Sequence, residues 1–249
     1  MRGFTLGYEG QYRSGDVLVE LMGGFGEEDH YDLHTATYYA ERGKLTHLDE
    51  VSGYMGYTAL AFACDKGDSE MVECLLAAGA DTAKAADLGG WTPLIGAIRK
   101  DHMEVVRLLL SAGADTEKAD RNGYTPLICA ARKGNVEVVR LLLSAEADTD
   151  KATSYGWTSL ILAAGKGHVE VVRLLLSAGA DMEKADRYGW TPLTEAAGEG
   201  HVEVVRLLLS AGADMEKANK DGRTPLSIAT ENGHVRMIKL LRQIDKHDS

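Results

Sequence analysis

LLLSAGADTEKADRNGYTPL, residues 108–127, returns with few changes at residues 141–160, 174–193 and 207–226. The threonine of its Gly-x-Thr triplet fixes the register. It is Thr58, Thr92, Thr125, Thr158, Thr191 and Thr224, separated by 34 residues once and by 33 thereafter. A period in this range means stacked supersecondary units, none of which can bury its own apolar face alone. The repeat overrides the length prior of one or two ordinary globular domains for 249 residues and predicts one elongated solenoid.

Within one unit, Thr125 is placed to cap free N–H groups and Pro126 suits the first helical position, where no N–H is needed. The first helix then runs through Ala130 and Ala131 to Lys133, and Gly134 supplies the conformation that ends it. A second helix is predicted from Val136 to Ser144. Its Val138, Val139, Leu141, Leu142 and Leu143 are apolar nearly all the way round, so it must be covered on several sides. In the parallel unit Gly113 closes the second helix, and ADTEKADRNG runs out as an extended, turn-containing finger.

GxTPL, then A-x-x-G-H, then VVxLLLxxGAD, closely resembles the ankyrin repeat. The resemblance covers residues 53–249 and, more weakly, 30–52. It implies an all-α, ankyrin-repeat solenoid of stacked helix-turn-helix units with β-hairpin-like fingers, and a concave face lined by fingers and first helices. The expected division is 1–29, an irregular or degenerate N-terminal segment, and 30–249, the repeat domain. Its units are 30–52 (a degenerate N-cap repeat), 53–86, 87–119, 120–152, 153–185, 186–218 and 219–249 (the C-cap repeat). The closing ENGHVRMIKLLRQIDKHDS turns polar, as a terminal cap facing water requires.

Several residues depart from the pattern. The family's usual histidine after TPL is replaced by Ala61, Ile95, Ile128, Ile161, Thr194 and Ser227. Apolar packing between first helices is the expected substitute. Glu146 stands where other copies have Gly113, Gly179 and Gly212, and Thr153 and Ser159 replace Asp120 and Pro126. A non-glycine residue at positive φ costs on the order of 1 kcal/mol, which makes the finger from Glu146 to Thr158 the expected soft join. Asp101 likewise replaces an inter-helix glycine, and Asp tolerates the left-handed region better.

The net charge of −11 and pI near 5.2 argue against a general nucleic-acid or anionic-membrane binder. No stretch is long and apolar enough for a membrane span, and MRGFTLGYEGQYRSGD has no apolar core of a secretory signal. Cys64, Cys74 and Cys129 form no CxxC pair and read as small core or near-core residues of a reducing compartment. The expected location is cytoplasmic, with the nucleus left open.

Candidate chemistry is scarce. His102, His168, His201 and His234 recur once per unit at the start of the second helix and read as capping and packing residues. Asp115, Asp148, Asp181 and Asp214 end the GAD motif. Glu104, Glu137, Glu170 and Glu203 each precede an arginine by three residues, and such exposed pairs contribute only about 0.2–0.5 kcal/mol each. Outside the period, EEDHYDLH at 27–34 puts His30 and His34 four apart, a spacing that on a helix would suit a divalent metal. It lacks HExxH order and lies beside Gly-rich chain, so a solvated acidic loop is favoured. No phosphate-cradling loop or nucleophile motif is present. No enzyme, cofactor or metal is expected.

Positions that vary between copies are available for recognition. Before each first helix they hold Tyr54 and Tyr57, Leu88 and Trp91, Arg121 and Tyr124, Tyr155 and Trp157, Tyr188 and Trp190, and Lys220 and Arg223. At the ends of the first helices they include Lys66, Arg99, Lys100, Arg132, Lys133 and Lys166. In proteins that this chain resembles, these positions line the concave groove. Trp, Tyr and Arg dominate interface energetics because rigid area is buried at little entropic cost. The helix ends are basic early and acidic or neutral in the last two units, which suits an extended partner bearing acidic groups at one end. The sequence thus predicts a noncatalytic protein-interaction scaffold or adaptor, monomeric, binding a protein or peptide. Alternatives are single-stranded nucleic-acid binding through the aromatic and basic positions, an enzyme or metal protein centred on His30 and His34, or a part of a larger regulatory protein.

Overall fold

A computed structural model describes residue 49, residues 57–85 and residues 89–245. The expectations for residues 1–48, which include His30 and His34, and those for Tyr54 and Leu88, fall outside the described residues. Among the described residues twelve helices follow one another in six pairs. These are α1 (Ala59–Lys66) with α2 (Ser69–Ala77), α3 (Pro93–Lys100) with α4 (Met103–Ser111), and α5 (Pro126–Lys133) with α6 (Val136–Ser144). They continue as α7 (Ser159–Gly165) with α8 (Val169–Ser177), α9 (Pro192–Glu199) with α10 (Val202–Ser210), and α11 (Pro225–Glu231) with α12 (Val235–Asp245). The chain divides into two compact units, residues 1–115 and 116–249. In the first, α1 packs on α3 and α2 on α4. In the second, α5, α7, α9 and α11 pack in succession, as do α6, α8, α10 and α12.

Each pair begins as the sequence predicts. Thr58, Thr92, Thr125, Thr158, Thr191 and Thr224 are N-caps in extended backbone, and each hydroxyl accepts from the amide three residues on at 3.1–3.3 Å. Behind the caps lies the core. Ala61, Ile95, Ile128 and Ile161 are all buried, so apolar packing does replace the missing histidine there. Thr194 and Ser227 stay local instead: Thr194 closes a reciprocal cap with Thr191, and the Ser227 hydroxyl donates to Thr224 O at 2.9 Å. In the second helices Leu109, Leu142, Leu175 and Leu208 are fully buried. The leucines on either side of each are only half-buried, so coverage is less complete than the all-round apolar pattern suggests.

Within the second unit, successive pairs are joined at two places where side chains have no room. At the fingertips Ser154 N donates to Asn122 O, Arg187 N to Tyr155 O and Lys220 N to Tyr188 O, at 2.9, 3.0 and 3.0 Å. Gly123, Gly156 and Gly189 sit beside these bonds at positive φ, and a Cβ on them would lie 3.0, 2.9 and 2.8 Å from the next finger's backbone. At the opposite end His168, His201 and His234 send Nε2–H to Arg132 O, Gly165 O and Gly198 O of the preceding pair, at 3.1, 3.1 and 2.8 Å. In the first unit His102 does the same to Asp65 O at 3.0 Å. Their rings cover Gly67, Gly134, Gly167 and Gly200, where a Cβ would lie 2.5–2.9 Å from Nδ1. This corrects the capping expectation: the histidine side chains at the starts of α4, α8 and α10 make no cap bond to their own helices. The one histidine position held by asparagine is 34 residues after Asp101, the one turn without glycine. Asn135 caps its own helix, accepting from Val138 N at 3.1 Å.

The fingers add staples that the GAD motif only hints at. Glu117, Asp150 and Glu183 accept the amides of Asp148, Asp181 and Asp214, each at 2.9 Å. Lys184 and Lys217 reach back to Asp150 O and Glu183 O at 2.7 and 2.8 Å. The expected exposed Glu–Arg pairing is also partly between pairs. Glu170 takes Arg140 from the preceding pair at 2.8 Å and its own Arg173 at 3.6 Å. Glu146 adopts the anticipated positive φ of 58°, as does Asp101 at 61°. In that finger Thr153 Oγ1 accepts from Tyr155 N and Trp157 N at 3.3 and 3.2 Å, where Asp186 manages 2.8 Å for both equivalents. Its base is tied by buried Ser159, which donates to Thr149 O at 3.0 Å.

Gly222 shares the conformation of Gly189 but has nothing within 4 Å of its would-be Cβ. Gly222→Ala should therefore cost only the left-handed strain of about 1–2 kcal/mol, and Gly189→Ala roughly 1–3 kcal/mol more through overpacking. Urea unfolding of the two variants checks this through the difference between their midpoints.

Candidate functional site

The variable aromatic residues owe their positions to the fingertip turns. Asp120, Thr153, Asp186 and Asn219 each accept the amide four residues on, at Tyr124, Trp157, Trp190 and Arg223. The ring therefore leaves the chain at the finger base, two residues before the first helix and close to that helix's far end. In two pairs an arginine at the helix end closes over the ring. The Arg99 guanidinium lies 4.0 Å from the Trp91 ring centre, and that of Arg132 lies 5.1 Å from Tyr124. Lys66 reaches the Phe62 ring at 5.4 Å, and Lys100 pairs with Asp65 at 3.7 Å. Burial and the Asp65 carboxylate push the Tyr57 phenol above its ordinary value.

The next two pairs differ. At the arginine position they carry Gly165 and Gly198. Tyr155 stacks on Trp157 with centroids 5.2 Å apart, and Arg187 lies 5.8 Å above the Tyr155 ring. The Trp157 indole N–H donates to Asp186 Oδ2 at 3.3 Å, so one carboxylate holds both Trp157 and the amide of Trp190. The Trp190 ring edge lies over Gly198, and the Glu195 side chain lies over Gly165, where a Cβ would come within 2.7 Å of Glu195 Cγ. Burial, then Glu199 and Asp186, hold the Glu195 carboxyl above its usual range against the opposing pull of Lys166. Tyr188 is 61% exposed and Tyr155 46%. Arg121, Lys133 and Lys166 are exposed.

Three copies of the ankyrin-repeat family model match this chain, over residues 28–120, 113–186 and 178–248. The chain is an ankyrin-repeat protein. Ankyrin repeats generally serve as protein–protein interaction modules and are typically noncatalytic. Comparison with curated proteins gives no match. Among the described residues of this ankyrin-repeat protein no group of three or more His, Cys, Asp or Glu side chains is placed to hold a metal ion. No helix there is long and apolar enough to cross a membrane. Cys64 and Cys129 are buried thiols and Cys74 is half-buried. Burial, then Asp65, pushes the Cys64 thiol upward.

The predicted positions Trp91 with Arg99, Tyr124 with Arg132, and Tyr155 with Trp157 are brought together as contacts. Asp186, Arg187 and Glu195, which complete the later surface, escaped the sequence reading. Glu195 had a signal: the same register position holds Phe62, Gly96, Cys129, Leu162 and Ile228, so one carboxylate interrupts an otherwise uncharged column.

A carboxyl whose folded pKa lies above its unfolded value of about 4.3 loses stability for the fold as pH rises through that window. Glu195→Gln is therefore expected to raise the thermal midpoint at pH 7, with the gain fading as pH falls through the ordinary glutamate range. Melting curves across that range check the sign.

Proposed function

We propose that this chain is a noncatalytic scaffold or adaptor that binds a partner protein or peptide along its fingers and first-helix ends. The observation that carries the proposal is where apolar surface remains uncovered. The exposed large hydrophobic residues among those described are Tyr155, Tyr188 and Val235, and two of these three are fingertip tyrosines. Half-buried Trp91, Tyr124, Trp157 and Trp190 stand at the finger bases. Exposed aromatic rings on a scaffold whose packing is met elsewhere mark an interaction surface. In this reading the partner-binding set is Tyr54, Tyr57, Lys66, Leu88, Trp91, Arg99, Lys100, Arg121, Tyr124, Arg132, Lys133, Tyr155, Trp157, Lys166, Tyr188 and Trp190. The repeats divide as 30–52 and then in steps from 53 to 249, and the protein acts as a monomer in a reducing compartment such as the cytoplasm.

Single-stranded nucleic acid fits less well. Base stacking needs rings beside cations that face phosphate, whereas Arg99 and Arg132 lie on rings and the Asp186 carboxylate holds both the Trp157 indole and the Trp190 amide. The overall charge of −11 also repels a polyanion.

The triple variant Trp91→Ala, Tyr124→Ala, Trp157→Ala should lose at least about 2 kcal/mol of partner affinity, as hot-spot residues do. Affinity capture from lysate, followed by titration of the captured protein, measures that loss. Retained capture would contradict the proposal, and so would a collapse of the folding midpoint that assigned the rings to the stack.

A further inference from the structure

We propose that the surface formed by Trp157, Trp190, Asp186 and Glu195 takes an arginine or lysine side chain from a basic segment of the partner peptide. This deepens the protein-binding reading above and rests on it. The chain itself supplies the template. Where the first helix ends in Arg99 or Arg132, the guanidinium lies on the aromatic ring at the base of its own finger, at 4.0 and 5.1 Å. In the next two pairs the rings are tryptophans, the strongest cation acceptors among aromatic side chains, but Gly165 and Gly198 replace the arginine. Rings of this kind are kept and the helix-end cation is not; the chain's Arg187 lies over the neighbouring Tyr155 ring, at 5.8 Å.

The surroundings have changed in the matching direction. Around Arg99 and Arg132 the helix-end neighbours are Lys100 and Lys133. Lys166 still follows Gly165, but Glu195 lies over Gly165, Glu199 follows Gly198, and Asp186 holds the Trp157 indole N–H at 3.3 Å. Lys166 is the cation acting on Glu195, against Glu199 and Asp186. Such a half-buried carboxylate beside two like charges is unfavourable in isolation, and a cation from outside relieves it. Tyr188, two residues before Trp190, is exposed and gives the stem of the incoming side chain an apolar surface to lie on, while Tyr155 is stacked on Trp157 beneath Arg187. An acidic end of the partner and a basic end are compatible, because helix-end charge reverses along the sequence.

The test uses the full chain and a fluorescein-labelled peptide of alternating glycine and arginine, with glutamate- and serine-containing peptides as controls. Anisotropy should show binding of the arginine peptide only, weakened by salt. Glu195→Gln and Trp157→Ala should each weaken it roughly ten-fold. Gly198→Arg should weaken it similarly, because it restores the internal cation over Trp190. Glu195→Gln is the decisive variant, since it is expected to keep or raise the folding midpoint while weakening peptide binding. Equal binding of the three peptides, or unchanged arginine-peptide affinity in Glu195→Gln and Gly198→Arg, overturns the inference. If the triple aromatic variant still loses its captured protein in that case, the protein-binding reading stands and only the charge assignment fails.

Discussion

Successive helix pairs in the second unit approach so closely at two places that a Cβ has no room. At one, backbone meets backbone beside Gly123, Gly156 and Gly189. At the other, a histidine ring covers Gly134, Gly167 or Gly200 on its way to the carbonyl of the preceding pair. The buried leucines and valines contribute apolar burial but little direction, whereas these two contacts fix the spacing of each step. With spacing fixed, the fingertip acceptors place one side chain per step at the finger base. That regularity turns sequence variation at those positions into a patterned surface.

The helices, caps and core were legible in the sequence because they depend on contacts near in sequence. Thr125, Pro126 and Gly134 each act within one turn of where they stand, and the second-helix register follows from the spacing of Val138, Val139 and Leu142. The histidine was misread in part because its acceptor lies 36 residues away, in the preceding pair, for His168, His201 and His234. The aromatic and basic positions of the site were legible as variable positions. Their pairing was not, because Arg99 on Trp91 and Arg132 on Tyr124 join opposite ends of a segment that only the fold brings together. Asp186 and Glu195 were missed for the same reason, although Glu195 also broke an uncharged column in the repeat.

Two kinds of aromatic position therefore coexist in one chain. Trp91 and Tyr124 carry an internal arginine, so each ring face used for a cation is already occupied. Trp157 and Trp190 stand with glycine at that place and with carboxylates alongside, an arrangement whose cost to the fold is visible in the raised Glu195 carboxyl. A partly buried carboxylate held at a cost to stability, as Glu195 is, marks a place where recognition is expected to reside.

The chain contains three tryptophans, so a nitrogen–proton correlation spectrum offers one indole signal for each. Titrating the isotope-labelled full chain with the arginine peptide tests the account most directly. The indole signals of Trp157 and Trp190 should shift progressively while that of Trp91, already covered by Arg99, stays in place. A shift confined to Trp91, or saturating peptide that leaves the Trp157 and Trp190 signals unmoved, would contradict it.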